Sequence, residues 1–151
     1  MSFIPSSGAA PLDQVVPNDG FFPDLGVAEM RDQTGLGSVF GAARLAAVLQ
    51  AAMIEVNADL ADWRMGLEAE ALAEVPATTY GGISAKVILY KTGVYTRARA
   101  ALIDTTRDYD STKSGHGRAD ALEETADSWL AQSNEALARL IDRPRTVVEL
   151  I

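Results

Sequence analysis

A long apolar stripe runs from Ser38 to about Glu70, and the rest of the chain has to cover it. Apolar side chains recur there at alternating steps of three and four, which places them on one face of an α-helix. They are Val39, Ala42, Ala46, Leu49, Met53, Val56, Leu60, Trp63 and Leu67. The spacing predicts one helix about 45 Å long, with Ser38 as its N-cap.

Three more helices are predicted around this one. A short helix should begin at Asp24, which can act as its N-cap, and end near Asp32. A longer one covers residues 83–108 after a glycine turn, and the last covers residues 118–142 before Pro144 stops it. We therefore expect an all-α fold: a small bundle of three longer helices and one short helix.

Both ends of the chain have a different composition from the bundle. Residues 1–20 are rich in proline and glycine, which predicts an extended N-terminal arm held by a neighbouring subunit. Residues 144–151 are mostly β-branched or apolar, which predicts a single strand with no partner in the chain. The strand either docks on another protein or folds back over its own bundle as an apolar lid. The predicted organisation is an arm (1–20), a helical connector domain (21–143) and a C-terminal docking tail (144–151).

Composition excludes several classes of protein. The 151 residues suggest one domain, and the absence of cysteine rules out disulfides and thiolate metal sites. No apolar run is long enough to cross a membrane, and the N-terminus lacks the pattern of a signal peptide. The formal net charge of −8 argues against tight binding of nucleic acid.

No catalytic motif has the context that it needs. There is no glycine-rich phosphate loop, no Ser/His/Asp set and no metal-ligand spacing. His116 is the only histidine and falls in a predicted loop, residues 109–117. Trp63 and Trp129 lie in apolar stripes and are interpreted as core residues. We expect neither an enzyme nor a cofactor.

Charge is sorted between the helices. The helix over residues 83–108 is basic, whereas the long helix is acidic. Two interpretations are open: the two helices exchange surface ion pairs, or the charges are sorted between faces of an assembly. Phe21 and Phe22 likewise have two interpretations, a core anchor or a binding hot spot.

Several short pieces, in order, resemble the head completion proteins of contractile-tailed temperate phages, the GPL family. The pieces cover the chain from Phe21 to Ile151. They are Phe21-Phe22-Pro23-Asp24, Arg31-x-x-Thr34, Ala43-Arg44-Leu45, Glu55-x-Asn57-x-x-Leu60, Ala73-x-Val75-Pro76, Lys86-Val87-x-x-Tyr90, Tyr109…Lys113…Gly117-x-Ala119-Asp120, Ala138-Arg139 and Pro144-Arg145-x-x-Val148.

The resemblance implies a structural protein of the virion neck, made in the bacterial host cytoplasm. Such proteins dock on the portal as a ring after DNA packaging, close the DNA channel, and provide the attachment surface for a neck or tail terminator protein. We expect the ring to be homo-oligomeric and twelve-fold, with DNA passing through it without sequence-specific binding. An acidic conduit would suit that passage, because phosphates would be held by a basic wall.

Three groups of residues are predicted to serve this assembly. For portal docking by strand addition they are Thr146, Val147, Val148, Leu150 and Ile151. For the channel lining they are Glu55, Asp59 and Asp62 of the long helix or Glu123, Glu124 and Asp127 of the last. For subunit contacts they are Lys86, Lys91, Arg97, Arg99, Phe21 and Phe22.

Two other functions remain open at this point. One is a soluble helical regulatory module that holds a peptide partner in a groove. The other is a DNA binder associated with packaging, which the net charge of −8 disfavours.

Overall fold

The computed structural model describes residues 13–110 and 116–143, with side chains for 13–106 and 126–143. The helices are α1 (Val27–Thr34), α2 (Ala42–Asp59), α3 (Ala61–Met65), α4 (Ala85–Asp110) and α5 (His116–Leu140), with one 3₁₀ turn at Leu72–Glu74. Two antiparallel strand pairs accompany them: β1 (Val15–Val16) with β2 (Leu25–Gly26), and β3 (Thr79–Tyr80) with β4 (Ile83–Ser84). The mainly helical class is confirmed, whereas these short strands were not predicted.

The predicted single helix from Ser38 to Glu70 is wrong in its bounds. Helix α2 begins after the N-cap Gly41, and Val39 is 88% exposed. The chain bends at Leu60, but the Leu60 N–H still bonds to Val56 O and the Arg64 N–H to Leu60 O, so α3 continues the helical spacing to Gly66. The stripe therefore predicted the buried positions from Leu49 to Leu60 and overestimated the length of the helix.

Helices α4 and α5 form the main packed pair. A Cβ at Gly93 would lie 2.6 Å from Leu137 Cδ2, so only glycine permits this approach without a shift of the leucine. The Ser133 hydroxyl donates to Gly93 O at 2.7 Å and satisfies both buried groups. Tyr90 and Val94 of α4 are fully buried in the core that this pair shares with α2.

Residues 13–20 belong to the body of the molecule, although the sequence assigned them to an extended arm. Strand β1 pairs with β2, and Val16 is buried. The Asp13 carboxylate accepts the Ala28 N–H at 2.8 Å and so caps α1, the role predicted for Asp24. The predicted arm is thereby limited to residues 1–12, which lie outside the described residues.

The predicted glycine turn before α4 is confirmed as a tight hairpin. Gly81 and Gly82 have φ of +57° and +79°, as a type I′ turn requires at both central positions. The predicted loop at 109–117 is shortened by α4, which reaches Asp110, and by α5, which begins at His116. The rest of that loop and the predicted C-terminal strand, 144–151, lie outside the described residues.

Candidate functional site

Lys86 is a buried cation at the C-terminal end of α5. Its side chain is only 9% exposed, and Nζ donates to Leu140 O at 2.6 Å and to Asp142 Oδ2 at 3.0 Å. Nζ also lies 5.5 Å from the centre of the Trp63 ring. The ammonium thus compensates a free carbonyl and the negative end of the helix dipole.

The chain leaves α5 through a turn that this lysine holds. Asp142 has φ of +55°, a left-handed conformation that aspartate tolerates better than most residues. The Asp142 N–H donates to Arg139 O, and the Arg143 N–H donates to Ala138 O. This pair of bonds defines a Schellman motif, and the ion pair with Lys86 fixes the point from which residues 144–151 depart.

Lys91 and Arg97 bind acidic residues of their own chain. Lys91 Nζ lies 3.1 Å from both Glu29 carboxylate oxygens, and the same carboxylate accepts the Tyr95 hydroxyl at 2.7 Å. Burial and this carboxylate raise the Tyr95 pKa, so its hydroxyl keeps the proton that it donates. Arg97 donates to Asp59 Oδ2 at 2.6 Å. Arg97 therefore pairs the basic helix with the acidic one, whereas Lys91 pairs with α1.

Arg99 stands apart from the other cations of α4. Its Cζ lies 6.0 Å from the centre of the Trp129 ring. Its Nε is buried and has no hydrogen-bond partner within the described part of the chain, and burial lowers the pKa of the guanidinium. Trp63 and Trp129, interpreted from the sequence as core residues, are both half-buried, and Trp63 packs against the core.

The predicted channel carboxylates lie in different environments. Glu55 and Asp59 face Arg97, at 3.9 and 2.6 Å, and their side chains are 66% and 54% exposed. Asp62 and Asp127 are exposed. Glu123 and Glu124 belong to α5, in the part whose side chains lie outside the described ones.

Phe21 and Phe22 are 5% and 3% exposed, which confirms the core-anchor interpretation. The Phe22 ring stacks on the Tyr90 ring at 4.5 Å, and the Arg64 guanidinium lies 4.5 Å from the centre of the Phe21 ring. Subunit contact through the predicted cations and these rings stays a prediction. Any such contact is limited to the atoms that the intrachain bonds leave accessible.

Three polar side chains behind this anchor form a hydrogen-bonded ring that was not predicted from the sequence. Asn18 Nδ2 donates to Tyr90 Oη at 2.8 Å, Tyr90 Oη donates to Asn57 Oδ1 at 2.6 Å, and Asn57 Nδ2 donates to Asn18 Oδ1 at 2.9 Å. Burial raises the Tyr90 pKa, which keeps the hydroxyl a donor. The ring ties the N-terminal segment to α2 and α4. Asn57 and Tyr90 belong to two of the motifs that resemble the GPL family, but no pattern in the sequence indicates that they form a hydrogen bond.

Asp19 adds a charged contact to the same segment. Its carboxylate accepts the N–H groups of Phe21 and Phe22 and pairs with Arg64. Burial alone would raise the Asp19 pKa, but the two backbone bonds and the guanidinium outweigh it, and the pKa lies below 3.8.

The described residues contain neither a candidate metal site nor a candidate membrane-spanning helix. Among the described side chains, those of residues 13–106 and 126–143, no three of Asp or Glu come together as a metal site would require. No helix in that part of the chain is long and apolar enough to span a bilayer. The predicted portal-docking residues, 146–151, lie beyond it.

Comparison with known proteins shows which family the chain is similar to. A family model described as "Phage head completion protein (GPL)" matches residues 16–151. A protein of Escherichia phage P2 named "Head completion/stabilization protein" is 32% identical over 142 residues, which cover 92% of this chain and 84% of that protein. No solved structure matches the chain.

Proposed function

The chain belongs to the family of phage head completion proteins (GPL), and we propose that it docks as a ring on the portal at the head vertex after genome packaging. The observation that carries this proposal is the family match from residue 16 to residue 151. The protein is a structural component of the phage virion, not a member of a known enzyme class. In the proposed ring it retains the DNA and offers a surface to a neck or tail terminator protein.

Portal docking is assigned to residues 146–151. Their β-branched composition suits strand addition to a sheet of the portal, in which main-chain hydrogen bonds supply affinity and alternate side chains supply specificity. Pro144 separates them from α5. The Schellman turn at Asp142, bonded to Lys86, supports the proposal because it gives the segment a fixed point of departure.

The channel lining is assigned to α5. Glu55 and Asp59 are partly neutralised by Arg97, so they would repel passing phosphates less than unpaired carboxylates do. Glu123, Glu124 and Asp127 share one side of α5 by their spacing. We assign subunit contacts to Lys91 and Arg99 and to residues 1–12.

A pull-down on purified portal tests the docking segment. Truncation after Arg143 should leave the helical circular dichroism unchanged and abolish portal binding. Val147→Pro and Val148→Pro remove adjacent backbone donors, which point to opposite sides of a strand, so one of them should weaken binding by about tenfold or more. Val147→Ala and Val148→Ala are the matched controls that keep the donors. Undiminished binding of the truncated protein would refute this assignment.

A further inference from the structure

A groove of about 360 Å³ lies beside the C-terminal turns of α5. Its walls come from the ends of α2 and α5 and from the middle of α4. Leu60 and Leu137 form an apolar floor, being 2% and 6% exposed, and Ile141 is half-buried beside them. The volume is more than twice the roughly 150 Å³ of a cavity that accepts benzene. Two aliphatic side chains therefore fit.

The chain passes the mouth of this groove as it leaves α5. Arg143 lines the groove and is also the last residue of the Schellman turn. Its N–H donates to the carbonyl of Ala138, which lines the groove as well. The α5 residues that line the groove extend from Asn134 to Ile141, about 10 Å of helix. An extended segment of residues 144–151 can reach about 26 Å, which is more than enough to cover it.

The rim of the groove is polar, whereas its floor is apolar. Arg143 stands at the mouth, and Arg97 has a buried Nε with no hydrogen-bond partner in the described part of the chain. Asp59 and the more distant Glu55 face Arg97, so the rim carries charges of both signs. Residues 146–151 combine apolar side chains with one carboxylate, Glu149. That composition matches an apolar floor with a polar rim, at which Arg143 lies next to the start of the segment.

We propose that residues 146–151 occupy this groove of their own chain in the free protein. The segment's apolar side chains are then covered until a partner competes for them, which prevents association of free subunits through exposed strands. The idea that the portal releases the segment from the groove rests on the proposed function, in which the same residues bind the portal. Occupancy of the groove does not rest on it.

Disulfide trapping tests the occupancy directly, because the chain has no native cysteine. Ala138→Cys in the groove wall is combined in turn with Val147→Cys, Val148→Cys and Leu150→Cys. The matched control places the first cysteine at Val39, which is 88% exposed beyond the opposite end of α2. At dilute protein concentration, at least one Ala138 pair should form an intramolecular disulfide about tenfold faster than its Val39 counterpart, because docking raises the effective concentration.

Each other outcome of the trapping overturns the proposal. Equal rates for the Ala138 and Val39 pairs would mean that the segment does not reside in the groove. Disulfide-linked dimers whose yield rises with protein concentration, without the intramolecular product, would identify a second copy as the occupant.

The trapped protein also separates this inference from the proposed function. Oxidised Ala138 pairs should lose portal binding and regain it on reduction, whereas the Val39 variants should bind in both states. If the oxidised protein binds the portal as well as the parent does, portal docking by residues 146–151 fails, while the trapping result still establishes occupancy of the groove.

Discussion

Lys86 shows how a single side chain can hold the end of a helix. Lys86→Met keeps the aliphatic stem but leaves Leu140 O and Asp142 without their donor. We expect a loss of about 1–3 kcal/mol in the free energy of unfolding, because the substitution removes the ammonium and leaves the Leu140 carbonyl without its hydrogen-bond donor. Urea denaturation measures it.

Arg139→Met is the control for this change. Arg139 pairs with Glu135 one turn away, and its side chain is 64% exposed. Such a surface pair contributes about 0.3–0.5 kcal/mol. Equal losses in the two variants would show that Lys86 has no special role at the end of α5.

Asp19 gives the protein a pH-dependent contact. Its pKa in the folded state is lower than the 3.8 of a free side chain, so the unfolded chain binds more protons in acid, and stability rises with pH through this range. The contribution of Asp19 to the free energy of unfolding is fully present above its pKa in the unfolded chain. It is lost as the pH falls through its pKa in the folded protein.

Asp19→Asn keeps an acceptor for the two backbone N–H groups but removes the charge. Between pH 5 and the acid limit of the native state, the unfolding free energy of the variant should fall less steeply than that of the parent. Chemical denaturation at a series of pH values measures the two slopes. Identical slopes would mean that the Asp19 pKa does not change on folding.

At the scale of elements, the contact between α4 and α5 depends on Gly93. Gly93→Ala would gain up to about 1 kcal/mol of helix propensity, but its Cβ would press on Leu137, and overpacking costs about 1–3 kcal/mol. We expect a net loss in the parent and a gain in a Leu137→Ala background, where the space is free. A double-mutant cycle on unfolding free energies measures this coupling, and additive effects would contradict the close approach.

The N-terminal segment is a second element whose role can be tested. Deletion of residues 2–12 should leave the melting temperature nearly unchanged. Deletion of residues 2–20 removes the Asp13 cap, the β1 pairing and Asn18, and should lower the melting temperature by several degrees. Calorimetry on the two proteins compares them directly. Equal melting temperatures would show that residues 13–20 are not part of the folded body.

Periodicity predicted the helices better than their ends. The stripe from Leu49 to Leu60 is buried as expected, and α4 and α5 lie within two residues of their predicted bounds. The errors concern caps: Ser38 and Asp24 have the right chemistry, but Gly41 and Gly26 occupy the cap positions, and Asp13 supplies the carboxylate from a distance. The type of a residue does not by itself show whether it will cap a helix, because tertiary contacts determine which residue lies at the helix end.

The polar contacts were beyond prediction for a similar reason. The ring of Asn18, Asn57 and Tyr90 joins positions up to 72 residues apart, and no local pattern encodes it. Lys86 is a comparable case, because a lysine early in a helix ordinarily points to water. Its partners come from the far end of another helix.

At the scale of the whole molecule, the described residues form a helical body, and we propose that the C-terminal segment beyond it serves assembly. Three basic side chains of α4, those of Lys86, Lys91 and Arg97, bind within the chain. The proposed assembly surfaces are residues 146–151, residues 1–12, the acidic side of α5, and Lys91 and Arg99 of α4.

The most direct test of the central claim is a cryo-EM reconstruction of the neck of purified particles. We expect density for this chain, with α4 and α5 recognisable, as a ring seated on the portal. Particles that lack the chain, or that carry it away from the portal vertex, would contradict the claim.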